Sequence, residues 1–598
     1  MDYDYDLIEP IKYYNDTLKD KFENSAKKYF NKLVDESKID IGENEVLVQE
    51  YKNLMRSKED FDKKYKRLKI LKAICLGFGI FFALITVLSA SGKSPGLDIL
   101  VNGVPAALFL STYFLYVKKN IKGLKDIVDN YELKIQDVKA KCYDTMRELN
   151  KLFTSDMTTK LIKKLVPLLN LDDNFDIRRF EQLVRNYGFL ESRDDNYSTL
   201  NLISGDILGN PFVFVKFLVH KIIDYSYTGS REISYTEYYY DSDGRRRSRT
   251  VYETLTATVY KPGPDYSNEI YLIYGNEAAP NLSFSRKPHN TATNKVINKV
   301  FNADKMKLRH LEKKSVKKGK SFQSMANEDF ETQFHAYDRD NEQEFRLLFT
   351  ALGQRNMIDF LNNDLYGDDL YFYKDKMINT IYCKHTDNWN IDNEAENYIH
   401  FDYVSCLNNY MKRSMQYFQD MYFTFVPLLS IPLYQQHKSL EYIYGHSFNY
   451  NFNRYTTEMI ANKMDVSRFK PMLAKTTSML KTYTIQSGED TDLVKVVANS
   501  YRTEQRFDIV SVLAGNGSYY DVRVPWTLYI PVSKESTIEV LNANMDESAY
   551  KKLQYSEGFT EKMDSLSDEY VYKDKLFGIL TNKTNIAYSN TIKNIFNN

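Results

Sequence analysis

The chain has 598 residues and a mass of 70.3 kDa, and its 80 Lys and Arg balance 80 Asp and Glu, so the formal net charge is zero. That balance excludes a globally basic nucleic-acid binder and an acidic disordered tail, while 43% hydrophobic residues exclude a disordered chain. Four Cys exclude a disulfide framework and fit a reducing compartment.

In chain order, the residues up to about Asp40 read as an amphipathic helix that ends near Gly42. Leu47, Tyr51, Leu54, Lys58, Phe61, Tyr65 and Leu68 then keep a heptad-like spacing broken only by Lys58. The mean hydropathy of −0.51 suits a soluble protein, but two runs depart from it. Ile70–Ala90 and Leu97–Val117 are each about 20 residues long, enough at 1.5 Å per residue to cross a ~30 Å hydrocarbon core. A Ser/Gly/Pro turn joins them, so the reading is a transmembrane hairpin. Seven basic residues precede it between positions 55 and 69, and four follow between 118 and 132, against Lys93 alone in the turn. The positive-inside rule then places both termini in the cytoplasm of a multi-pass inner-membrane protein.

Past the second run, Ile121, Leu124, Val128, Tyr131, Ile135, Val138, Cys142, Met146 and Leu149 continue a heptad-like seam. The two arms are read as an antiparallel coiled-coil stalk; packed amphipathic helices and homo-oligomerisation through the seams are the alternatives. Cys142 lies on the seam and reads as a small core residue.

Ser155 and Asp173 or Asp176 are candidate caps for the next two helices. Strand chemistry follows. In SYTEYYYDSDGRRRSRTVYETLTATVY, Asp243-Gly244 signals a hairpin, with Glu237 and Asp241 able to pair with Arg245, Arg247 or Arg249. Arg245, Arg246, Arg247 and Arg249, with Lys313, Lys314, Lys317 and Lys318 of the basic stretch Lys305–Lys320, are the candidate contacts for anionic lipid. Charge pairing and solvation explain the same residues.

In NEDFETQFHAYDRDNEQEFRLLFTALGQRNMIDFL, a short strand at Phe334–Tyr337 is expected to lead into a helix carrying Phe345, Leu348, Phe349 and Leu352. Phe330, Phe334, Tyr337, Asp340, Glu344, Arg346, Leu348 and Thr350 resemble the F-x-x-x-F-x-V-Y-S-x-D…E-A-R-Y-L-L-T-P signature of an uncharacterised bacterial membrane-protein family. Ala336, Phe345 and Ala351 depart from it. Leu200–Gly209 and ATVYKPG resemble two further segments, so the likeness covers Ile70–Tyr382. It implies architecture, a membrane helix pair followed by a cytosolic domain, and no catalytic residues.

Further on, hairpins are expected around Lys374–Lys376 and Asn516-Gly517, a helix at Tyr403–Tyr422, and a core segment at Met421–Tyr434, too short and Pro-broken to span. No P-loop, dinucleotide fingerprint, zincin motif, C-x-x-C or nucleophile elbow is present, and Gly445-His446-Ser447 lacks the second Gly of an elbow. Asp364, Asp368 and Asp369 read as a solvated loop. Cys383 and His385 stand two apart near Asp387, but a metal needs a third ligand that the sequence does not place, so packing is the expectation. Abundant Tyr with two Trp matches the codon bias of an AT-rich bacterial genome.

The fold class is therefore α+β: cytosolic helices in 1–69, the hairpin in 70–117, a helical arm in 118–170, an α+β domain in 171–390 and an α+β region in 391–598. The expected role is a non-enzymatic membrane anchor or scaffold, with the bilayer and proteins at its cytosolic face as partners and no cofactor, metal or nucleic acid. A hydrolase with an unread site and an anionic-lipid sensor are the alternatives.

Overall fold

The computed structural model describes residues 8–89, 95–190, 194–289, 323–438, 452–488, 491–543 and 558–581, with short pieces between 306 and 317 and between 545 and 556. It is an α+β structure with two antiparallel sheets, and its contacts divide it into two units.

One unit takes residues 23–155 and 394–415. It holds most of helix α1 (Lys19–Ser37), then α2 (Ile41–Ser89), α3 (Pro95–Thr112) and α4 (Lys118–Lys151), the last two joined by a π-helical turn at Tyr113–Val117. Helix α2 packs antiparallel on α3 and α4. Contacts run steadily from Asn44 with Thr145 (2.8 Å) through Lys58 with Glu132 (3.4 Å) and Phe61 with Tyr131 to Phe82 with Phe109. On α4 the residues Ile135, Val138, Cys142, Met146 and Leu149 are buried, as the heptad-like spacing dictates, and Val48 packs with Val138 and Cys142.

The apolar ends of α2 and α3 behave differently. Among the described residues, one helix, Ile41–Leu88, is long and apolar enough to cross a membrane, and only 11% of its apolar window is buried. Ile80, Phe81, Leu84, Val87 and Leu88 of α2 and Val101, Val104 and Leu108 of α3 are all exposed. Gly79 lets the two helices approach: a Cβ there would sit 3.0 Å from Leu110.

The other unit takes residues 1–22, 156–393 and 416–598. Its first sheet runs, in spatial order, β1 (Leu169–Leu171), β2 (Tyr197–Ile207), β3 (Asn210–Tyr240), β4 (Arg246–Gly275), β7 (Ile378–Cys383), β6 (Leu370–Asp375) and β5 (Ser283–Arg286), and its second β11 (Tyr570–Lys573), β12 (Leu576–Leu580), β10 (Tyr519–Asn542), β9 (Thr491–Leu513) and β8 (Met479–Ser487), all neighbours antiparallel. The core between them takes Val213, Val215 and Ile273 from the first sheet and Val494, Val496 and Val540 from the second. Two helices fill the same core, α6 (Ile177–Tyr187) through Leu183 and α11 (Arg454–Lys463) through Met459 and Ile460. Helix α5 (Met157–Leu165) follows Asp156 rather than Ser155, while Asp176 caps α6 by accepting from Arg178 N at 2.9 Å. The run Met421–Leu429 is buried as the C-terminal part of α10 (Tyr403–Leu429).

The expected strand at Phe334–Tyr337 is not formed. Asn327 caps the chain through Phe330 N (3.2 Å), three acidic residues occupy the first turn, and helix α7 (Glu328–Phe334) results. The helix expected to follow is two: α8 (Glu342–Leu348) stops, and Thr350 caps α9 (Ala351–Leu361).

Candidate functional site

Two ribbons dominate the larger unit. Strands β3 (Asn210–Tyr240) and β4 (Arg246–Gly275) pair over their whole length, but β2 (Tyr197–Ile207) leaves β3 at Val219 and β7 (Ile378–Cys383) reaches β4 only from Tyr271. From Lys221 to Tyr240 the two strands therefore pair, among the described residues, only with each other, a span of roughly 70 Å at about 3.4 Å per residue. Strands β9 (Thr491–Leu513) and β10 (Tyr519–Asn542) form a second, shorter ribbon.

Both turns follow from sequence. Asp241 accepts from Asp243 N (3.1 Å) and Arg245 N (2.9 Å), and Gly244 takes φ +73°. In the second, Asn516 accepts from Ser518 N (3.0 Å) and Gly517 takes φ +79°. A two-stranded ribbon is marginal alone, so the two lie face to face. Ile233, Leu255 and Ala257 meet Ala514, Val522 and Val524 in a small core. Arg231 donates to Asp521 O (2.8 Å), Gly515 N donates to Glu253 (2.9 Å), and Lys261 pairs with Asp508 (2.7 Å) over the Trp526 ring.

The first ribbon overhangs the second. Tyr235 and Glu253 meet Gly515 at the second turn, and beyond them stand Tyr238, Tyr239 and Tyr240; Tyr252, level with Ser234, is 82% exposed. Arg249 bonds Glu237 (2.7 Å), Arg247 bonds Asp241 (3.0 Å), and Arg246 stacks on Tyr238 at 4.0 Å. The arginine run is thus largely occupied within the hairpin. Lys313, Lys314 and Lys317 are exposed, and Lys318 lies outside the described residues, as does Gly445-His446-Ser447.

A cleft of about 390 Å³ opens in the same unit, walled by Phe189, Tyr197, Phe217, Tyr271 and Tyr455. At its base Glu458 accepts from Arg454 (2.9 Å), Lys481 (2.7 Å) and Thr199 N (3.0 Å). Burial depresses the Lys481 pKa, with Glu458 opposing it. The sequence separates these groups by up to 282 positions and offers no signal for them. A larger cavity of about 720 Å³ is lined by Asp172, Asp176, Arg178 and Arg179. Arg179 holds Asp172 (3.3 Å) and Asp206 (2.6 Å), and burial raises the Asp172 carboxyl pKa.

Of the acidic run expected to be a solvated loop, Asp364 is exposed, but the other two members are not solvated. Asp368 lies against the fully buried Arg286, and Asp369 is buried against His385, its Oδ2 taking both His385 N (2.8 Å) and Nδ1 (2.6 Å). Cys383 is the cross-strand partner of Leu370, which brings its thiol beside Asp369. The three are not a nucleophilic triad: His385 Nε2 faces Asp420 O (3.2 Å) and Thr424 Oγ1 (3.3 Å), and burial pushes the Cys383 thiol pKa well up.

No family model, no curated protein and no solved structure matches the chain. The segment that carried the resemblance has local work. Phe334 packs with Phe284, as do the neighbouring Phe345 and Phe349, and Phe330 packs on Phe349. Asp340 and Glu344, with Asp338 beside them, accept from Ser283 N (2.7 Å), Asn281 N (2.8 Å) and Ser285 N (2.9 Å). They clip the loop onto β5 (Ser283–Arg286), the edge strand of the first sheet.

Proposed function

We propose that the chain is a two-span membrane protein with both ends in the cytoplasm, acting as a non-enzymatic scaffold that docks a protein partner on its ribbon arm. The exposed tyrosines of the arm carry this reading: Tyr240 and Tyr252 stand exposed on strands whose outer edges pair with no other strand among the described residues. Tyrosine supplies large contact area at low entropy cost, and an open edge takes an extended segment by strand addition. The occupant is thus an extended polypeptide of another protein. Exposed apolar side chains on α2 and α3 and the basic flanks of both runs support the anchor and its orientation. The likeness to an uncharacterised membrane family fits the same architecture.

Native electrophoresis of the detergent-extracted full chain tests this. The expected result is a complex larger than one chain that falls to single-chain mass in a Tyr238→Ser/Tyr240→Ser/Tyr252→Ser variant of unchanged melting temperature. Single-chain mass in the wild type contradicts it.

A further inference from the structure

We propose that Asp369, Cys383 and His385 bind a borderline divalent cation of the zinc class. One ligand atom from each lies within 4.8 Å of the other two, and the set of carboxylate, thiolate and imidazole is one that zinc takes. Three elements deliver it: the approach to β6 (Leu370–Asp375), the end of β7, and the 3-10 turn Lys384–Asn388.

Two observations point to a cation. The first is the ring of His385. Thr424 Oγ1 spends its hydrogen on Asp420 O (2.7 Å), so Nε2 faces two acceptors and must carry a proton. Nδ1 then faces the carboxylate oxygen of Asp369, which already accepts from His385 N. With the proton on Nε2, the Nδ1 lone pair and the Asp369 oxygen face one another, the placement of two ligand atoms around a shared cation. Nε2–H donated to a backbone carbonyl is the outer contact that orients metal-bound imidazoles. Tyr366, stacked on the ring at 4.1 Å, fixes its plane.

The second is Asp369 itself, 7% exposed, whose Oδ1 has no hydrogen-bond partner among the described residues. A buried carboxylate oxygen with no donor is costly unless a cation faces it. Charge also closes. A divalent ion with one thiolate and one carboxylate is neutral, and on binding, the thiol proton and the Nδ1 proton, where present, leave to solvent. Neighbouring Asp368 is committed to Arg286 at 2.6 Å. This inference is independent of the scaffold reading.

The test uses the full chain, purified in detergent without a histidine tag, with zinc measured by plasma mass spectrometry. About one zinc per chain is expected, with retention at least tenfold weaker in Cys383→Ser and in Asp369→Asn. Cobalt loading is expected to give a thiolate charge-transfer band that persists in Cys75→Ala/Cys142→Ala/Cys406→Ala. That reading needs only a folded wild type and one variant outside the site. A zinc-supplied wild type that dialyses metal-free and keeps its melting temperature in chelator overturns the proposal. So does loss of the band in the triple variant, or wild-type zinc in Cys383→Ser.

Discussion

At the residue scale, Gly229 decides whether the two ribbons can stack. A Cβ there would clash with the backbone of Arg523 and Val524. Gly229→Val is expected to cost about 1–3 kcal/mol through overpacking and to expose the turn at Gly517 to protease. Urea unfolding and limited proteolysis check it; wild-type stability with a protected turn contradicts it.

Lys374, on β6, is 2% exposed and donates to Ala278 O (3.1 Å), and burial lowers its pKa to about 7. In the unfolded chain the amine keeps its proton to about pH 10. Between about pH 7 and 10 the unfolded state therefore binds the extra proton, and stability rises with pH across that window. Lys374→Met is expected to remove the rise when urea unfolding is compared at pH 7 and 9.5; equal slopes contradict it. Glu458 belongs to the same class of buried charge. Glu458→Gln leaves Lys481 without its anion and is expected to cost about 3–5 kcal/mol by the same measurement.

At the element scale, how much was legible depended on how local the cause was. The Asp243-Gly244 and Asn516-Gly517 turns could be read because one side chain and one glycine make each. The burial of Met421–Leu429 followed from apolar content and length. The strand expected at Phe334–Tyr337 was misread because the Asn327 cap and the acidic first turn outweigh a few β-prone residues. The stacking of two ribbons rests on contacts such as Arg231 with Asp521, 290 positions apart, which no local pattern encodes. The same holds for Asp369, brought to Cys383 and His385 by the register of β6 on β7.

Helix α2 makes its own test. Leu84 is exposed on the apolar stretch, and Leu84→Arg adds about 2.5–3.5 kcal/mol to the cost of membrane insertion near a helix centre. Alkaline extraction is expected to release a larger fraction of this variant than of wild type. Equal retention contradicts a lipid-facing Leu84.

At the scale of the whole molecule, an exposed apolar helix pair and an exposed aromatic arm are two surfaces of different chemistry on one chain of zero net charge. Buried Arg179 is spent on two aspartates and buried Glu458 on two cations. On the reading proposed above, the exposed chemistry serves as docking surfaces. The most direct measurement is photo-crosslinking in membranes from a benzophenone amino acid placed at Tyr252. The account predicts one discrete covalent adduct with another protein, absent when the same probe stands at buried Val522. A chain that stays uncrosslinked at Tyr252, or that joins only to itself, would contradict it.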